Sequence, residues 1–256
     1  MLMELPAIPR IKGVFVTGTD TGVGKTWITA GIAAIWRQWG MRAVYFKPFQ
    51  SGCPEQDGRL IPTDAQMAGE IAGLTEPLDL LTPIALRLPL APGVAAAQEG
   101  REIDWDRVAE ALKELAGRYD FFAVEGAGGL YVPLAGYKFL VLDLVRWLRL
   151  PLLVVARAGL GTINHTALTV MAARQAGLPV AGVILNRYPA NPSLAEKTNP
   201  EVIEAITEMP ILGRVRESAD LNRPENRAAF LMDMDTVCRN LANACAARAF
   251  LECVTD

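Results

Sequence analysis

A chain of 256 residues, 51% hydrophobic and 21% charged, is too apolar to remain disordered. It is also long enough to bury a core without disulfide or metal staples. Its 25 Lys and Arg against 28 Asp and Glu give a net charge of −3, which argues against the broad basic face of a nucleic-acid-binding protein.

The predicted elements alternate along the chain. Residues 1–12 hold no apolar core of signal-peptide length. Residues 13–17 form a short apolar strand that runs into glycine-rich sequence. Trp27, Ile28, Ile32, Ile35, Trp36 and Trp39 then recur at helical spacing. A second strand covers residues 43–46. Residues 63–72 read as a helix with Thr63 as candidate N-cap, and residues 104–116 as a helix capped by Asp104. Residues 120–124 form a strand. The most apolar stretch, 139–160, holds Asp143, Arg146, Arg149, Pro151 and Arg157, too many charges for a membrane span. It divides into a short helix, a turn at Pro151 and a buried strand over 152–156. A helix over 162–176, a strand over 180–185, a helix over 201–208, a strand over 211–215 and a closing helix over 234–251 complete the chain. No repeat and no long linker interrupts this alternation, so residues 1–256 are expected to form one domain. Strands apolar on both faces, separated by helices, imply an α/β fold with a mainly parallel sheet flanked by helices on both faces. Ligands of such folds sit at the carboxyl ends of the strands.

Chemistry-bearing residues follow the strands. After the first comes Gly18-Thr-Asp-Thr-Gly-Val-Gly-Lys-Thr26, opening directly into a helix. Small residues let backbone N–H groups face phosphate oxygens, and the helix adds its positive end. Lys25 can reach the outer phosphates and the Thr26 hydroxyl can ligate Mg²⁺. Five residues separate Gly18 from Gly24, one more than the common loop has, yet Gly-Lys-Thr between strand and helix marks a P-loop NTPase. Lys47-Pro48 and Ser51-Gly52 follow the second strand and offer another positive charge. Glu125-Gly-Ala-Gly-Gly129 offers a carboxylate suited to Mg²⁺ and glycines suited to close ligand approach. Asp64 is a candidate second carboxylate.

These motifs, with Leu-Tyr-Val-Pro-Leu134, Gly161-Thr-Ile-Asn-His165 and Leu185-Asn186, are similar in order and kind to the dethiobiotin synthetase family over nearly the whole chain. The resemblance implies ATP-dependent closure of the ureido ring on 7,8-diaminononanoate with CO₂, with Mg²⁺ as cofactor. The amine carbamate takes the γ-phosphoryl group, and the second amine attacks the resulting anhydride. By motif position Lys25 and Lys47 stabilise the transferring charge. Thr26, Asp64 and Glu125 hold Mg²⁺, and Thr21 and Ser51 face the diamine and carbamate. Gly22, Val23, Gly24, Trp27, Gly126, Ala127 and Gly128 surround the nucleotide. Asn186 reads the adenine, with Arg187, Val215, Arg216 and Glu217 beside it. The family's homodimer brings Gly161, Thr162, Ile163 and Asn164 from the partner chain to the substrate carboxylate. Two departures stand out: Gly22 replaces a frequent Glu, and Arg216 a common Pro.

A partitioning-type switch ATPase is the alternative on the same fold, but it needs a lysine where this chain has Asp20. A glutamine-dependent amidotransferase needs a Cys/His pair and a further domain. The single histidine, His165, receives no chemical role. Four cysteines (Cys53, Cys238, Cys245 and Cys253) form no C-x-x-C pair and fit reduced thiols in the cytoplasm.

Overall fold

The structure, a computed structural model, describes residues 5–217, 220, 221 and 223–247. Six strands form one sheet: β1 (Lys12–Gly18), β2 (Ala43–Phe46), β3 (Phe121–Glu125), β4 (Leu152–Arg157), β5 (Val180–Tyr188) and β6 (Ile211–Arg216). Their order is β6-β5-β4-β1-β3-β2, and every pairing is parallel. Flanking helices are α1 (Lys25–Gln38), α2 (Thr63–Ala72), α3 (Leu78–Leu81), α4 (Pro92–Gln98), α5 (Trp105–Ala116), α6 (Val141–Leu148), α7 (Thr162–Gln175), α8 (Leu194–Thr207) and α9 (Pro224–Ala247). β2 and β3 are buried at every position, as expected for strands covered on both faces. Phe15, Trp36, Tyr45, Phe46 and Phe122 are among the largest fully buried side chains of the core. Parallel pairing places the strands' carboxyl ends at one edge, so the strands ending at Gly18, Phe46, Glu125 and Arg157 all lead to the same edge of the sheet.

Several boundaries differ from the sequence reading, each for a physical reason. Helix α8 begins at Leu194 and not at residue 201, although Pro200 lies inside it. Ser193 and Glu196 form a capping box at its start. Pro200 has no N–H for the carbonyl four residues back, at Glu196. The Tyr188 hydroxyl donates to that carbonyl instead, at 2.9 Å. Helix α9 begins at Pro224 and not at residue 234, with proline at the helix's first position, where its missing N–H costs nothing. Residues 248–251 of the expected closing helix, and Cys253, lie outside the described residues.

Thr63 is not the N-cap of α2. The helix starts at Thr63 after Pro62, with no capping side chain on the residue before it. Gln50 does the work from outside: its Oε1 accepts from Asp64 N at 3.1 Å and its Nε2 donates to Thr63 Oγ1 at 3.0 Å. Asp104 caps α5 as expected, accepting from Arg107 N at 2.9 Å. Three short pairs were not foreseen: Phe49–Gln50 with Ile84–Ala85, Glu55–Gln56 with Arg59–Leu60, and Pro133–Ala135 with Phe139–Leu140.

Candidate active site at the carboxyl edge of the sheet

The loop between β1 and α1 is fixed by its neighbours. Gly24 precedes α1 with φ 94°, and a Cβ there would stand 2.0 Å from Asn186 Nδ2. That amide, at the end of β5, donates to Val23 O at 2.8 Å. Only glycine allows both the left-handed backbone and this contact. On the loop's other side Arg157, ending β4, pairs with Asp20 Oδ2 at 2.5 Å. Asp20 Oδ1 accepts from Thr21 N at 2.7 Å, and Asp20 O accepts from Lys25 Nζ at 3.2 Å. Burial pulls the Lys25 pKa below the ordinary lysine value, against the attraction of Glu125, and the nearby Lys47 charge pushes the same way as burial. A buried ammonium so held is poised for an anion.

The ends of β2 and β3 carry the opposing charges. Phe46 pairs in register with Val124, so the next step along both strands brings Lys47 beside Glu125. Lys47 Nζ donates to Glu125 Oε1 at 2.7 Å and also to Asp64 Oδ2, from the first turn of α2. Thr26 Oγ1 donates to the same Glu125 Oε1 at 2.9 Å, and the Tyr45 hydroxyl to Oε2 at 2.6 Å. Burial pulls the Lys47 pKa down, but Glu125 and Asp64 together outweigh it and raise the pKa above the ordinary value. Burial, with the Glu125 charge, pushes the Tyr45 phenol well up.

A cavity of about 580 Å³ opens onto this cluster, within the roughly 300–1,000 Å³ of small-ligand sites. Thr21, Gly22, Gly24, Lys25, Thr26, Trp27, Lys47, Ser51, Asp64, Glu125, Ala127, Gly128 and Arg187 all line it. The other expected residues are not in its wall. Val23 is buried beneath the loop, and Asn186 is held against its carbonyl. Gly126 packs on Phe15, where a Cβ would meet the ring at 2.7 Å. Val215 and Arg216 end β6 and Glu217 follows it, tied to β5 by the Glu217 N–H to Tyr188 O bond of 2.9 Å. Arg216 is engaged by Asp233, which accepts from its backbone N, its Nε and its NH2 at 2.7–3.0 Å. The segment Gly161, Thr162, Ile163 and Asn164 opens α7 outside this cavity. Asn164 and His165 are exposed there. Leu160 is 94% exposed, and Leu168 and Met171 are 58% and 51% exposed on the following turns.

Sequence reasoning missed Tyr45, Gln50 and the Arg157–Asp20 pair. Tyr45 had one usable signal: it lies two residues before Lys47 on a strand, hence on the same sheet face.

Comparison with known proteins agrees with this geometry. An AAA domain family model matches residues 12–225. The ATP-dependent dethiobiotin synthetase BioD of Thermodesulfovibrio yellowstonii is 40% identical over 230 residues, covering 87% of this chain and 96% of its own. The enzyme of the same name from Anaeromyxobacter dehalogenans is 50% identical over 177 residues, covering 69% of this chain and 77% of its own. The chain belongs to the ATP-dependent dethiobiotin synthetase family. Membership makes it an ATP-dependent ligase, one that forms carbon–nitrogen bonds. Among solved structures, the MinC:MinD cell division complex of Aquifex aeolicus aligns with TM-score 0.54 at 17% identity, covering 91% of this chain and 96% of that one. The septum site-determining protein MinD of Pyrococcus horikoshii, complexed with Mg-ADP, gives 0.53 at 18% identity, covering 93% and 100%. At that identity the likeness extends to the P-loop fold alone. No helix among the described residues is long and apolar enough to cross a membrane.

Proposed function

We propose that residues 1–256 act as one cytoplasmic domain that makes dethiobiotin from 7,8-diaminononanoate, CO₂ and ATP, with Mg²⁺. The observation that carries this reading is the Lys47 ammonium held between Glu125 and Asp64, beside Thr26 and facing the loop of Lys25. One amine adds to CO₂, loses a proton and becomes a carbamate. A carbamate oxygen attacks the γ-phosphorus, and ADP leaves. The second amine then attacks the carbonyl carbon of the carbamic–phosphoric anhydride. The C–O bond breaks, phosphate departs with that oxygen, and the ureido ring closes.

Each residue's part follows from charge. The Lys25 ammonium and the N–H groups of Gly22, Val23, Gly24 and Thr26 receive the phosphates. Lys47 has three N–H donors, and two serve the carboxylates. The third is available to the carbamate, so Lys47 offsets the negative charge that grows there during transfer. Thr21 and Ser51, both in the cavity wall, would orient the diamine and carbamate. The Thr26 hydroxyl with the Asp64 and Glu125 carboxylates is a hard-oxygen donor set that fits Mg²⁺. A bound Mg²⁺ would supply charge neutralisation between these carboxylates and the phosphate oxygens. Asn186, Arg187, Val215, Arg216 and Glu217 would flank the adenine, with Trp27, Gly126, Ala127 and Gly128 along the nucleotide. Asp233 accepts from the Arg216 guanidinium at 2.7–2.8 Å, so that charge is already paired where it would flank the base.

The carboxylate end of the diamine lies a long alkyl chain away from its amines. Gly161, Thr162, Ile163 and Asn164 open a helix and offer N–H groups to an anion. They would serve the site of a second copy in a homodimer, and the exposed Leu160, Leu168 and Met171 beside them supply apolar surface for such a contact. An assay for dethiobiotin formed from diaminononanoate, bicarbonate and MgATP tests the reading. One ADP per dethiobiotin is expected; ATP turnover with no dethiobiotin would overturn it.

A further inference from the structure

Phe15, Phe46, Phe49 and Phe122 fill the core with no polar atom to satisfy, while Tyr45, equally buried, carries a hydroxyl. Its bond goes to one particular oxygen. Glu125 Oε1 accepts from Thr26 at 2.9 Å and Lys47 at 2.7 Å, and Oε2 accepts from Tyr45 at 2.6 Å. The three donors divide the carboxylate between two tasks: one oxygen faces the loop, the other is anchored in the core. Ala123, opposite Tyr45 in the strand register, leaves room for the ring.

We propose that Tyr45 is a positioning residue that fixes the Glu125 carboxylate so that Oε1 is presented, with the Thr26 hydroxyl, to a divalent cation. This rests on the metal-binding role proposed above for Thr26, Asp64 and Glu125. The last torsion of a glutamate is broad and is set by what its oxygens bond. Without Tyr45, Oε2 would be buried with no donor of its own, and the carboxylate would turn to share Lys47. Hydrogen bonds of this kind to a ligating carboxylate typically carry about 10–100-fold in metal affinity.

The test is a Mn²⁺ titration of the ADP-saturated protein, followed by electron paramagnetic resonance, on wild type, Tyr45→Phe, Glu125→Gln and the double variant. Thermal melts check that each is folded, and Tyr45→Leu provides a second variant lacking the hydroxyl. Tyr45→Phe is expected to weaken Mn²⁺ binding about 10–100-fold, with ADP affinity measured without a divalent cation unchanged. Added to Glu125→Gln, it should change little further, because it acts through that carboxylate. If Glu125→Gln weakens Mn²⁺ binding and Tyr45→Phe does not, the role of Tyr45 is overturned while the metal site stands. Equal losses from Tyr45→Phe in both backgrounds also overturn it, as an effect of packing. If neither single substitution weakens binding, the metal-site reading falls and the role of Tyr45 falls with it.

Discussion

Lys47 Nζ and Glu125 Oε1 lie 2.7 Å apart, with side chains only 8% and 1% exposed. The sheet itself builds this ion pair, because β2 and β3 run parallel in a register whose last pair, Phe46 and Val124, immediately precedes these two residues. Asp64 adds a second carboxylate from a different element, α2. Charges this deeply buried persist only when mutually satisfied.

Replacement of Lys47 therefore has two expected effects. Lys47→Gln should lower kcat by about 10²-fold or more, the usual loss for one electrostatic stabiliser of a transition state. It also leaves Glu125 and Asp64 facing each other without a cation, and breaking a buried pair costs about 3–5 kcal/mol. Thermal melts should show a lower Tm for the free variant, and Mg²⁺ should raise that Tm more than it raises the wild type's. Near-normal turnover would reduce Lys47 to a structural counter-ion.

Gly24→Ala should separate loop geometry from charge. The new Cβ would meet Asn186 Nδ2 at 2.0 Å and force the amide off Val23 O. The left-handed φ of 94° adds strain of about 1–3 kcal/mol for a residue other than glycine. ADP affinity, measured by calorimetry, is expected to fall at least about 10-fold, because each 1.4 kcal/mol is tenfold. Unaltered affinity would contradict the loop as the phosphate site.

Nucleotide binding should be linked to protons through Lys25. Burial holds its pKa below 10.5 in the free protein, and arriving phosphates raise it by charge attraction. Between the lower free value and the higher bound value, the complex carries more protons, so binding takes up protons at alkaline pH. The same sign makes this group's contribution to the free protein's stability increase as pH rises toward 10.5, since the unfolded chain binds more protons there. Calorimetry of ADP binding in buffers of different ionisation enthalpy reads the uptake directly. Proton release in that window would contradict the buried, phosphate-facing position of Lys25.

Asn164→Ala tests the second copy. Loss of one hydrogen bond to a charged group costs about 1.5–3 kcal/mol, so KM for the diamine should rise while ATP binding holds. Mixing Asn164→Ala subunits with Lys47→Gln subunits should restore activity, because heterodimers regain one intact composite site. No recovery, with subunit exchange confirmed, would mean that each chain builds its site alone.

Much of this arrangement was legible because strongly patterned segments carry their own instructions. The apolar 43–46 and 120–124 runs match β2 and β3 within one residue, and Gly-Lys-Thr26 opens α1 as expected. What stayed hidden depends on distant partners. Pro200 reads locally as a helix breaker, and Tyr188, from another element, supplies a donor to the Glu196 carbonyl. Thr63 looks like a cap, yet the cap comes from Gln50, across a loop. Tyr45 is an ordinary strand aromatic until its register with Ala123 brings it under Glu125, 80 residues away.

In the proposed reaction Lys25, Lys47 and the loop direct the γ-phosphoryl group to a carbamate oxygen and not to water. Turnover with ¹⁸O-labelled bicarbonate, sampled before the label exchanges with solvent, tests it most directly. The carbamate oxygen that bonds phosphorus leaves with it when the ring closes, so the released phosphate is predicted to carry one ¹⁸O per dethiobiotin formed. Unlabelled phosphate, with its new oxygen drawn from water, would contradict the account.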